Sequence, residues 1–182
     1  MLIKNGKLID INNGYDFIQK DIRVENGIIK EIGENLKKDE NEEVLDIKGN
    51  IITAGFIDIH THVYHGETAI GIDPDKVGGE LGVTSVIDAG TSGADTFEDF
   101  YNRIIKNSKT KVFAFLNIAS LGLKTLNELN DMSNIDFEKI KKIVEKYKGT
   151  IVGIKARASA SVVGENGIAP IKKAKEIVKT IS

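Results

Sequence analysis

The chain has 182 residues, 41% of them hydrophobic and 29% charged, with a formal net charge of −2. That length suits one ordinary domain, or a small domain with part of a larger one, and the near-neutral balance leaves no electrostatic footprint for nucleic acid or an anionic membrane surface. The lack of cysteine excludes disulfides, thiolate zinc sites and a cysteine nucleophile, so metal ligands would be imidazole, carboxylate or modified lysine, which suit zinc, manganese or iron. The opening Met1-Leu2-Ile3-Lys4-Asn5-Gly6 has no long apolar core and no cleavage-site pattern. No run approaches the roughly 20 apolar residues that span a bilayer. A soluble cytoplasmic protein is the expectation.

Residues 1 to about 53 read as short strands separated by turns. Leu2 to Ile11 is the first, ending at Asn12-Asn13-Gly14. Asp21 to Val24 and Ile28 to Ile32 follow, joined by Glu25-Asn26-Gly27, where Asn-Gly signals a tight hairpin. The charged stretch Leu36 to Glu43 reads as a solvated loop. Val44 to Ile47 and Ile51 to Thr53 flank a turn at Lys48-Gly49-Asn50. No catalytic cluster is evident in this β-rich part.

After Gly55 the rhythm becomes strand, helix, strand, helix. Ile57 to His62 leads to Asp73-Pro74-Asp75-Lys76, a helix start with proline in its first turn that should stop near Gly82. Val83 to Asp88 is a second apolar strand, and Ala89-Gly90-Thr91-Ser92-Gly93 a loop. Asp95 to Lys106 places Phe97, Phe100, Tyr101, Ile104 and Ile105 on one helical face. Val112 to Asn117 is the third strand. A long connection from Ile118 to Ile135 follows, with a helical turn at Leu126 to Leu129. Asp136 to Tyr147 is a helix, Thr150 to Lys155 the fourth strand and Pro170 to Thr180 the last helix. Four strand–helix units with apolar strands imply a parallel sheet covered by helices. Both an open sheet and a barrel satisfy that pattern. A whole eight-unit barrel takes about 250 residues, so a barrel reading makes this the front half of one.

Chemistry concentrates at strand ends. Gly55-Phe56-Ile57-Asp58-Ile59-His60-Thr61-His62 alternates faces, so His60 and His62 point the same way. At about 3.3 Å per residue their Cα atoms stand about 6.6 Å apart, close enough to grip one ion. His65, beyond the strand, reads as a solvated loop residue. Lys155 ends the fourth strand, where Ile151, Gly153 and Lys155 share a face and Gly153 leaves room beneath. It either reaches into solvent or, facing metal ions, carries captured carbon dioxide as an anionic carbamate. Asp88 either accepts from a histidine or caps the loop after it. Arg157, Ser159, Ser161 and Asn117 lie near the same strand ends, placed to meet a substrate carboxylate or carbonyl.

Three segments resemble the amidohydrolase superfamily. Gly55 to His62, preceded by a small β-unit, looks like its first barrel strand with the His-x-His pair, and Val83 to Gly90 like its second. Gly153-Ile154-Lys155-Ala156-Arg157, followed by Gly164-Glu165-Asn166-Gly167-Ile168 and Pro170, is similar to the deacetylase, dihydroorotase-like branch. The resemblance implies an α/β fold: the N-terminal half of a (β/α)8 TIM-type barrel over residues 55–182, preceded at 1–54 by the β-sandwich segment of a composite domain. It implies two divalent metal ions, most often Zn2+, with His60 and His62 on one and Lys155, as a CO2-derived carbamate, bridging both. The implied activity is hydrolysis of an amide or ester by a metal-activated hydroxide, on a small molecule carrying an acetyl or cyclic amide or ester group. Dihydroorotases commonly follow the histidine pair with a substrate-binding arginine. Val63-Tyr64-His65 stands here instead, which makes pyrimidine synthesis the weaker alternative. The family also takes two histidines and a catalytic aspartate from later strands. The expectation is therefore a chain inactive alone that forms a homo-oligomer or pairs with a missing C-terminal half; a non-catalytic metal-binding or structural α/β module is the other alternative.

Overall fold

Alternating extended runs punctuated by Asn-Gly turns build the first part of the chain, and apolar strands alternating with amphipathic helices build the second. The computed structural model describes residues 1–125 and 128–181 and divides into two compact units, Met1–Ala54 and Gly55–Ser182.

In the first unit, β1 (Leu2–Asp10) pairs antiparallel with β2 (Tyr15–Glu25), which pairs antiparallel with β3 (Ile28–Gly33). The short β4 (Val44–Asp46) and β5 (Ile51–Thr53) run parallel to successive stretches of β1, completing one five-stranded sheet. Asn26 and Gly27 both have positive φ, 52° and 75°, the turn whose twist matches that of hairpin strands. β2 starts six residues before the expected Asp21. Ile11–Asn13 forms one 3-10 turn closed by Gly14 at φ 83°, reversing the chain so tightly that Tyr15 already pairs with Asp10.

Leu2, Leu8 and Ile22 are buried, and so is Asp21. Burial pushes the Asp21 carboxyl up, but hydrogen bonds from the Asn5 and Leu36 amides and from Lys4 Nζ outweigh it and hold the group below its ordinary value. The charged stretch after β3 has no regular structure, as expected of a loop. It is nonetheless tied down: Arg23 Nε donates to Glu42 Oε1 at 3.1 Å, and the Glu42 side chain is only 7% exposed.

The second unit is α/β. β6 (Phe56–Thr61), β7 (Val83–Gly93), β8 (Lys111–Asn117) and β9 (Ile151–Lys155) form a parallel sheet in chain order. Between and after them come α1 (Pro74–Val77), α2 (Phe97–Arg103), α3 (Phe137–Lys146), α4 (Ala160–Val163) and α5 (Ala169–Ile181). Acceptors at the helix starts are local: Asp73 takes the Asp75 amide and Asp136 the Lys139 amide. Val86, Ala114 and Leu116 from the strands pack with Phe97, Phe100, Ile140 and Ile177 from the helices in one buried core.

Several boundaries differ from expectation. α1 lasts four residues, because Gly78 and Gly79 have little helical preference and Gly78 leaves the helical region at φ −100°, ψ −103°. α2 gives way to a 3-10 turn, Ile105–Asn107. β7 runs through the expected loop to Gly93, with an irregularity between Ala89 and Gly93. α4 is too short to leave a periodic signature. The helical turn expected at Leu126 to Leu129 falls partly on Leu126 and Asn127, outside the described residues. Among the described residues no helix is long and apolar enough to cross a membrane. β6 is an edge strand whose Phe56, Ile57 and Ile59 stay 64%, 59% and 66% exposed.

Candidate functional site

Parallel pairing brings the C-terminal ends of the strands to one level: Thr61 lies opposite Asp88, and Asn117 opposite Lys155. In α/β proteins this is the end where ligand sites form. Here His60, His62, Gly90, Asn117, Lys155 and Arg157 line one cavity of about 450 Å³. The sequence-expected His60, His62 and Lys155 are thus brought together, with Arg157 and Asn117 beside them.

The two imidazoles stand with ring centroids 5.7 Å apart at 74°. His60 is exposed, and its amide donates to Asp58 Oδ1 within the same strand. His62 is half-buried, with Nδ1 at 2.8 Å from Thr91 Oγ1. Burial, followed by the nearby charges of His60, Lys155 and Arg157, pushes its pKa down and favours the neutral ring. Thr91 Oγ1 is in turn 2.7 Å from Asp88 Oδ2. Asp88 is fully buried and also accepts the Val63 and Thr91 amides at 2.8 and 2.7 Å. Burial pushes its carboxyl up against the pull of those hydrogen bonds. Of the two readings for Asp88, the cap of the turn after it is the one the hydrogen bonds bear out; the carboxylate does not accept from a histidine directly and meets His62 only through Thr91.

Lys155 owes its place to Gly90 rather than to Gly153. A Cβ on Gly153 would meet the Phe115 ring at 2.9 Å, so the room there belongs to Phe115. A Cβ on Gly90, at φ 83°, would stand 2.6 Å from Lys155 Cβ. Among the described residues no hydrogen bond or ion pair engages the lysine Nζ.

Glu128 is the residue that sequence reasoning missed. It is fully buried in the long connection, where its Oε2 accepts from Asn117 Nδ2 at 2.6 Å and its Oε1 from Arg157 Nη1 at 3.2 Å. Burial pushes its carboxyl up; Asn117, Arg157 and Lys155 pull it down. Asn117 also donates to the Gly90 carbonyl and accepts the Ala119 amide, so both amide protons are used within the protein and Oδ1 keeps one acceptor lone pair. Ser159 is exposed and accepts from Arg157 Nε at 3.3 Å. Ser159, Ser161 and His65 are not among the residues lining the cavity. Among the described residues, no group of three or more His, Cys, Asp or Glu is arranged to hold a metal ion.

No family model matches the chain. A deacetylase of Brucella anthropi is 38% identical over 185 residues, an alignment spanning 100% of this chain and 46% of the deacetylase. Among solved structures, a dihydroorotase superposes with a TM-score of 0.91 at 34% identity, covering 99% of this chain and 48% of its own. An adenine deaminase gives 0.88 at 33%, covering 98% and 47%. The chain spans about half the length of the relatives it matches. With these relatives and this sheet, the chain belongs to the amidohydrolase superfamily and corresponds to the N-terminal half of its members.

Proposed function

We propose that this chain forms one wall of the active site of a metal-dependent hydrolase acting on an amide or ester of a small molecule, with deacetylation as the favoured chemistry. The observation that carries the reading is the convergence of His60, His62 and Lys155 on one cavity at the strand ends.

The donors suit a divalent cation such as zinc. His62 has Nδ1 engaged and Nε2 left over, and burial favours its neutral, ligating form. His60 and His62 would hold the cation, and Lys155 would join them as a carbamate. In that modification neutral Nζ bonds to the carbon of CO2 and a proton leaves. The chemistry a cation supplies in such a site is polarisation of a carbonyl and acidification of water. The chain's own residues provide the rest: Arg157, tethered by Glu128, offers a guanidinium to a substrate carboxylate, and Gly90 keeps the Lys155 stem unobstructed.

Dihydroorotate hydrolysis is the second reading, supported by the dihydroorotase neighbour. The segment after the histidines weighs against it. Val63 and Tyr64 are 0% and 1% exposed, with the Tyr64 ring 4.8 Å from Phe100, so that stretch presents no cation to a substrate. The exposed apolar edge of β6 supports self-association, or pairing with a further segment, as part of the same reading.

The test is acetate release from N-acetyl amino acids by the zinc-loaded chain, alone and fused to the remaining half of the Brucella deacetylase. The expected result is no turnover alone, and zinc-dependent release by the fusion that falls at least about 100-fold in Lys155→Ala. Release that survives Lys155→Ala would sink the assignment. Turnover of dihydroorotate in preference to acetyl compounds would replace it with the second reading.

A further inference from the structure

We propose that Thr91 and Asp88 are positioning residues that fix the tautomer of His62, holding the ring proton on Nδ1 and leaving the Nε2 lone pair bare. The argument is a count of protons. A threonine hydroxyl has one proton to give, and Thr91 Oγ1 lies between two groups that each need a hydrogen bond with it: Asp88 Oδ2 at 2.7 Å and His62 Nδ1 at 2.8 Å. Asp88 is surrounded by donors. Its Oδ1 takes the Thr91 amide, and its Oδ2 takes the Val63 amide as well as the hydroxyl. Both carboxyl oxygens already accept a backbone proton, so Asp88 acts as an acceptor towards Thr91 and the hydroxyl proton goes to Asp88. Thr91 Oγ1 then has only lone pairs to offer His62, and the proton between them belongs to Nδ1. A neutral imidazole with its proton on Nδ1 carries none on Nε2.

The same carboxylate anchors the backbone just beyond the ring, because the Val63 amide follows His62 directly. Both the path of the chain and the protonation pattern of the ring are therefore set from one buried residue on β7, before any ligand arrives. Imidazole side chains in water favour the opposite tautomer, so an Nδ1–H ring in the free protein is a distinctive outcome. The use of that lone pair as a metal ligand rests on the hydrolase reading above; the tautomer itself does not.

Long-range 15N–1H NMR of the histidine-labelled, metal-free chain at neutral pH reads the tautomer directly. With three histidines in the chain, substitution of His65 and His60 in turn assigns His62. The expected result is Nδ1–H in the wild type, retention in Thr91→Ser and a shift towards Nε2–H in Thr91→Val. Zinc titration of the same samples should show Thr91→Val weakened about 10- to 100-fold and Thr91→Ser close to wild type. An Nε2–H ring in the wild type overturns the proposal, whether or not Thr91→Val folds. So does an unchanged Nδ1–H ring in folded Thr91→Val. A shifted tautomer with unchanged zinc affinity would uphold the relay and remove the metal reading instead.

Discussion

Asp88→Ala is expected to lower the stability of the Gly55–Ser182 unit by about 4 kcal/mol. The carboxylate is the acceptor for the Val63 amide, the Thr91 amide and the Thr91 hydroxyl, all in a fully buried setting. A buried donor without an acceptor costs about 1–3 kcal/mol, and three are orphaned together. Relief from burying a carboxylate, whose pKa burial pushes up, offsets part of the sum. Asp88→Asn keeps one acceptor oxygen and should cost about half as much. Urea denaturation followed by circular dichroism measures both, and a loss below about 1 kcal/mol for Asp88→Ala would contradict the hydrogen-bond assignment.

The second large effect is steric. A Cβ on Gly93 would stand 1.9 Å from the Ala119 carbonyl oxygen and 2.5 Å from that of Ser120. Both are backbone atoms, so no side chain can swing aside. Gly93 also sits opposite Asn117 in the sheet, so room for a methyl group comes only by parting β7 from the segment after β8. Gly93→Ala should cost about 3 kcal/mol or more and displace the Asn117 side of the cavity. Gly153→Ala is the comparison: its Cβ meets the Phe115 ring, which can turn, so it should cost less than half as much. Equal losses in the two variants would show that backbone proximity at Gly93 is not the cause.

The sequence carried the parts of this molecule that depend on local pattern. Period-two alternation and the two histidines one residue apart were enough to place His60 and His62 on one face at a strand end. The apolar run before Lys155 placed it at another. Asn26-Gly27 marked its hairpin. What stayed hidden depends on approach between distant segments. Thr91 lies in a glycine-containing stretch that reads as a loop, and nothing local reveals that Gly90's left-handed φ makes space for Lys155. Glu128 looks like an ordinary surface glutamate in a long connection. It is buried because Asn117 and Arg157, 11 and 29 residues away, both bond to it. The first half of β2 escapes a period-two reading because Asp16 to Gln19 are all exposed and Phe17, at φ 52°, breaks the alternation, so only pairing with β1 reveals a strand.

Zinc titration by calorimetry into the chelator-treated chain tests the central claim, that His60 and His62 grip a cation at the strand ends. The expected result is a single binding event per chain, weakened at least about tenfold by His60→Ala and by His62→Ala, with His65→Ala indistinguishable from wild type. Wild-type affinity in the double variant His60→Ala/His62→Ala would contradict it.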